Sequence, residues 1–227
     1  MANDEESDKA KQEIAKALVA YRPEIIAAGK FISETTKQPL KQVLGFLGDV
    51  AGIARIELLL LFEKRYHRKL LEKNINDPKA IPLGVIYPLL SAALIEDDES
   101  LAEMFASLLA SYASDSEERF TPKTFIDTVR SMTPFEAYLL GLMVDAPGGD
   151  DPSRMLFTID LPDDISFVSD ENITLNSYPE PKPKVLLALA SLQHLGCIQA
   201  AQSIDGTTYF QQASVTYYGE QFMLACR

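Results

Sequence analysis

The side chains most able to do chemistry in this 227-residue chain are four consecutive carboxylates, Glu96, Asp97, Asp98 and Glu99, with two histidines, His67 and His194, and two cysteines, Cys197 and Cys226. Clustered carboxylates suit a divalent cation or acid/base catalysis. A calcium loop, however, needs alternating oxygen ligands, a glycine at its turn and a distal bidentate glutamate, and "EDDES" has neither the glycine nor the spacing. The histidines lie in unrelated helical contexts and assemble no ligand set with a cysteine or carboxylate. Asp150, Asp151, Asp163, Asp164, Asp170 and Glu171 fall in a long connection, where solvation accounts for them. The expectation is a protein that is not an enzyme, with no catalytic, cofactor-binding or metal-binding residues and no small-molecule substrate.

The carboxylate run is better explained by the element behind it. Leu101, Met104, Phe105, Leu108, Leu109 and Tyr112 recur at steps of three and four, which makes them one buried stripe of an amphipathic helix. The acids then occupy its cap and first turn. There Asp97 or Asp98 accepts backbone N–H groups, and Ser100-x-x-Glu103 offers an alternative capping box.

Upstream, residues 1–12 read as a solvated tail and residues 13–118 as a helical domain. Its longest pattern runs from Leu40 through Phe62 and on into "EKRYHRKLLEKN". Gly45, Gly48 and Gly52 share one face of that helix, and three mid-helix glycines cost about 3 kcal/mol relative to alanine. Close approach of another backbone would offset this, so the three mark a groove for protein contact, self-association included. Lys64, Arg65, Arg68 and Lys69 give the helix a basic end, which complements its dipole and could also meet anionic lipid or the acidic half of another copy. Asp49, Arg55 and Glu57 interrupt the apolar run, and a central charge costs about 2.5–3.5 kcal/mol on membrane insertion. Conditional membrane contact through residues 40–69, as a membrane-perturbing effector, is therefore the alternative function.

The charge is uneven. Residues 1–80 carry 14 Lys and Arg against 12 Asp and Glu, whereas residues 81–227 carry 7 against 21, so most of the net −12 lies in the second part. The polar amino terminus has no basic segment leading into an apolar core, and two cysteines suit a reducing compartment. A cytoplasmic location is expected, with peripheral membrane contact as the variant.

Residues 119–227 read as a second domain of mainly short elements. Thr133-Pro134-Phe135-Glu136 is a helix start with a capping box. A long connection over 145–182 contains a short strand in "MLFTI" or "ISFV", and Pro183 opens a helix that Gly196 ends. "CIQAAQSI" and "TTYFQQASVTYY" then flank Asp205-Gly206, a dipeptide suited to a type I′ hairpin turn. The fold class is mainly α: a helical amino-terminal part followed by a winged-helix-like carboxy-terminal unit with a β-hairpin. Residues 134–227 carry 4 basic and 12 acidic side chains, which removes the electrostatic basis for binding DNA, so no nucleic-acid partner is expected.

The run "IPLGVIYPLLSAALIEDDESLAEMFASLLASY", with "TFIDTVRSMTPFEAYLL", "LQHLGCIQ" and "VTYYGEQFMLAC", resembles the abortive infection alpha family of bacterial proteins. The resemblance covers roughly residues 35–227 and is most specific from Pro88 to Tyr112. Phe105 stands where the family has tryptophan, which keeps a large aromatic in the core. The resemblance implies a role in defence against phage and carries over no catalytic residue. The reading is a non-enzymatic cytoplasmic interaction protein whose partner is protein, a second copy included.

Overall fold

Among the described residues of the first half of the chain, apolar residues at helical spacing produce four helices. They are α1 (Arg22–Thr36), α2 (Ile53–Glu72), α3 (Leu83–Ala93) and α4 (Glu99–Tyr112). The computed structural model describes residues 22–39, 53–114, 121–146, 155–167 and 178–227. The chain divides into two units, Met1–Thr121 and Pro122–Arg227.

In the first unit α4 is the central element, packed by both α2 and α3, while α1 packs on α2. Of the expected stripe, Leu101, Met104, Phe105, Leu108 and Leu109 are buried and Tyr112 is half-buried, while Ala102, Ala106, Ser107 and Ala110 on the rest of the circumference are buried too. A helix contacted from two sides needs burial nearly all round, and small residues let a neighbour come close. Asp98 is the N-cap: its Oδ1 accepts from Ser100 N at 2.9 Å and Leu101 N at 3.1 Å. The alternative box is therefore not used, and Glu103 is released for another role. α3 continues through Pro88, which lies inside it. Backbone bonds from Ile81 N to Thr35 O and from Lys79 N to Ala113 O, both 2.9 Å, fasten the α2–α3 connection to the ends of α1 and α4.

The second unit contains α5 (Thr124–Ser131), α6 (Pro134–Val144), β1 (Leu156–Phe157), β2 (Ser166–Phe167), α7 (Pro183–His194), β3 (Ile198–Gln202), β4 (Thr208–Val215) and α8 (Tyr217–Cys226). Thr133 caps α6 reciprocally: Glu136 N donates to Thr133 Oγ1 at 3.3 Å and Thr133 N donates to Glu136 Oε2 at 2.6 Å. Pro183 opens α7 and Gly196, at φ +75°, follows its end. The strands pair antiparallel in the order β2-β1-β4-β3, and α6 and α7 pack against the sheet. The molecule is mainly α with a carboxy-terminal hairpin.

Two local expectations are corrected. The hairpin turn is not type I′, which needs positive φ at both central residues. Gly206 has φ +86° and Asp205 is not among the positive-φ residues. Bonds from Gly206 N to Ser203 O and from Ser203 N to Thr207 O, both 2.9 Å, enclose a three-residue loop instead. The hairpin is also not the end of the fold, since β4 stops at Val215 and α8 follows. Thr216 caps α8 by accepting from Gly219 N at 3.0 Å. A Cβ on Gly219 would lie 2.1 Å from Cys197 O, so only glycine lets α8 approach the start of β3 so closely.

Candidate interaction surface

The basic end of α2 and the acidic start of α4 meet. Arg65 Nε lies 3.1 Å from Glu103 Oε1, Arg68 donates to the same oxygen, and Lys69 Nζ lies 4.0 Å from Glu103 Oε2. Glu99 stands 4.0 Å from Arg65, and Glu72 lies 2.7 Å from Lys69 and 3.6 Å from Arg68. Helical geometry explains this convergence, because 65, 68, 69 and 72 fall on one face of α2 while 99 and 103 fall on one face of α4. With its side chain one-quarter exposed, Glu103 is the shared partner. Its hydrogen bond raises the Arg68 pKa, and the Lys69 ammonium holds Glu72 below the usual carboxylate range. Three of the four basic residues expected to form an outward-facing surface thus answer carboxylates of their own unit, whereas Lys64 is exposed.

The remaining candidates separate. Gly45, Gly48 and Gly52 lie outside the described residues. Asp98 is engaged in the α4 cap, where the hydroxyl of Ser100 and then the Leu101 N–H lower its pKa, while Asp97 is exposed and takes no part in that cap. His67 stands 3.8 Å from Glu63, four residues earlier on α2. That spacing was present in the sequence and its significance was missed. Burial raises the Glu63 pKa, His67 opposes the rise, and Glu34 adds to it. Among the described residues no group of three or more His, Cys, Asp or Glu side chains could hold a metal ion. No helix among them is long and apolar enough to cross a membrane.

An uncharged surface appears where sequence reasoning sought none. Val85, Ile86, Leu89 and Leu90 bury one side of α3, leaving Leu83, Gly84, Tyr87 and Pro88 outward, with Ile95 beyond the helix end. Leu83 is 42%, Tyr87 45% and Ile95 59% exposed. The signal was available, since "LGVIYPLLSAALI" contains no charge on either face.

In the second unit the lysines at the start of α7 are both engaged. Lys182 Nζ lies 3.0 Å from Asp163 Oδ2, and Lys184 Nζ sits 4.0 Å over the Phe135 ring. Leu187 and His194 are exposed further along the helix, so the chain offers no basic row there.

No curated protein and no solved structure matches the chain significantly. The sequence pattern of one family, abortive infection alpha, matches residues 55–226, which takes in α2 from its third residue through to the end of α8. With most of its length matched in this way, the chain belongs to the abortive infection alpha family.

Proposed function

We propose that the chain is a non-enzymatic cytoplasmic protein of phage defence that acts by protein contact, first of all with a second copy of itself. Family membership supports the link with abortive infection. The observation that carries the contact is the uncharged outer face of α3, with Leu83, Tyr87 and Ile95 each more than two-fifths exposed. Apolar surface gathered on one side of a helix favours a macromolecular partner. The partner is a second copy because a chain of net −12 repels itself unless the contact excludes charge. This face excludes it for its whole length, and a two-fold contact sets it against itself, with Gly84 allowing close approach. The second unit serves as a winged-helix-like packing module, a reading supported by β1 pairing on β4 and by α7 directly preceding the hairpin.

Light scattering across a concentration series tests the proposal beside liposome flotation. The parent should show a concentration-dependent dimer, lost in Tyr87→Glu and in Leu83→Lys, and neither form should float with anionic vesicles. A monomer at every concentration would end the self-association reading. Flotation that disappears on reversing Arg65, Arg68 and Lys69 to Glu would establish the membrane-effector alternative instead.

A further inference from the structure

The sheet of the second unit carries an uncharged groove of mixed polar and apolar lining beside β3 and the end of β4. Residues paired across an antiparallel ladder share a face. Leu156 with Ala213 and Ala200 with Ala213 define the buried side, so Gln199 with Ser214 and Phe157 with Gln212 stand on the other. There a groove of about 630 Å³ is lined by Met155, Gln199, Gln202, Ser214, Thr216 and Tyr217, with no charged residue among its lining. Thr216 is committed, accepting from Gly219 N and donating to Gly196 O at 2.6 Å. The side chains of Gln199, Gln202 and Ser214 have no hydrogen-bond partner among the described residues.

One further feature gives the groove a chemical preference. Tyr217, 73% exposed, occupies the first position of α8, where the Thr216 cap fixes its backbone at the groove.

We propose that this groove binds a neutral planar heterocycle of the nucleobase class, presented as a free nucleoside. The base stacks on Tyr217, and the amides of Gln199 and Gln202 read its hydrogen-bonding edge. Glutamine amides match an adenine edge in two-point fashion, and aromatic rings supply a stacking surface that any base accepts. With no cation in the lining and an acidic unit around it, a phosphate gains nothing here, so the nucleoside and not its nucleotide is the preferred form. This site is independent of the α3 contact.

Calorimetric titration of the full chain with adenosine, guanosine, cytidine and uridine tests it. Adenosine should bind saturably, and AMP no more tightly. Tyr217→Ala should weaken adenosine about tenfold, as should Gln199→Ala combined with Gln202→Ala, with melting temperatures unchanged because all three positions are exposed. The proposal is overturned by absence of saturation with all four nucleosides, by binding that ignores these substitutions, or by AMP binding tenfold or more tightly than adenosine. If either alanine variant fails to fold, Gln199→Glu at the same exposed strand provides the same comparison.

Discussion

The two units solve the same problem, holding helices and loops in register, with different chemistry. In the first, cations of α2 meet carboxylates of α4 at Glu103. Among its described residues the second has two separate ion pairs, Lys182 with Asp163 and Arg227 with Asp145, and beside them neutral groups hold its elements: Tyr218 donates to Thr124 Oγ1 at 3.2 Å and bonds Thr128 at 2.7 Å, and Gln193 Oε1 accepts from Ala200 N at 2.9 Å on the free edge of β3. The contrast follows the charge distribution. The first unit carries 15 Lys and Arg against 20 Asp and Glu, whereas the second carries only 6 against 13 and so has fewer bases for each acid. Ion pairs respond to salt and neutral hydrogen bonds much less, so the units should respond differently to the same perturbations.

The largest effects should come from the two cores. Phe105→Ala empties a fully buried site in α4 and should cost about 3–5 kcal/mol. Gly219→Ala forces a Cβ onto the Cys197 carbonyl and should cost about 1–3 kcal/mol. Hydrogen exchange read residue by residue should place the first loss around α4 and the second around β3 and α8; losses spread evenly over the chain would dissolve the distinction between the units.

A smaller pair of substitutions bears on the charge contrast directly. Glu103→Ala, which removes the carboxylate shared by Arg65, Arg68 and Lys69 and leaves them Glu72 and Glu99, should lower stability by about 1 kcal/mol, a loss that shrinks at molar salt. Thr133→Ala, which removes the α6 cap, should cost about 1 kcal/mol at any salt. Equal salt dependence in denaturant titrations would show that the α2–α4 cluster contributes through packing and not through charge.

Alkaline titration separates the units by a different route. Burial pushes the Cys197 thiol from 9.0 up to about 12 and the Tyr66 phenol from 10.0 up to about 12. For a group whose folded pKa is raised, the unfolded chain releases its proton first. Stability is then full below the unfolded value and declines as pH rises toward the folded one. The second unit should begin to weaken from about pH 9 and the first from about pH 10. Cys197→Ala should flatten the earlier decline while leaving the later one, as followed by exchange or near-ultraviolet dichroism.

The smallest effect distinguishes neighbours. Asp98→Ala should lower the melting temperature, because two N–H groups of α4 lose their acceptor. Asp97→Ala should leave it unchanged, and calcium should raise neither. A calcium-dependent rise lost in Asp98→Ala would restore a cation site at the carboxylate run.

How much could be read in advance follows the range of each interaction. The α4 cap, the Thr133 box, Pro183 at the head of α7 and Gly196 at its end are all encoded within four residues and were legible, although the choice of Asp98 over Asp97 and over a Ser100 box was not. α8 was missed because "VTYYGEQFMLAC" continues the β-branched and aromatic character of β4, and its start depends on a single threonine followed by a glycine that is needed for packing. The turn was assigned from Asp205-Gly206 alone, while Ser203 and Thr207 set the actual loop length. The candidate surface was legible only as a list of charges, because spacing shows which charges share a face and not what that face meets.

By itself, then, the sequence determined the mainly helical class, the order of most elements, the uneven charge and the family resemblance, since these depend on local periodicity and composition. Only the tertiary structure decided that Glu103 turns from capping to pairing with three cations, that α4 is buried on nearly every side, and that β4 sets Gln199 beside Ser214 on an uncharged face. Each of these joins residues far apart in the chain, and such contacts are fixed by how helices and strands pack, which no local spacing encodes.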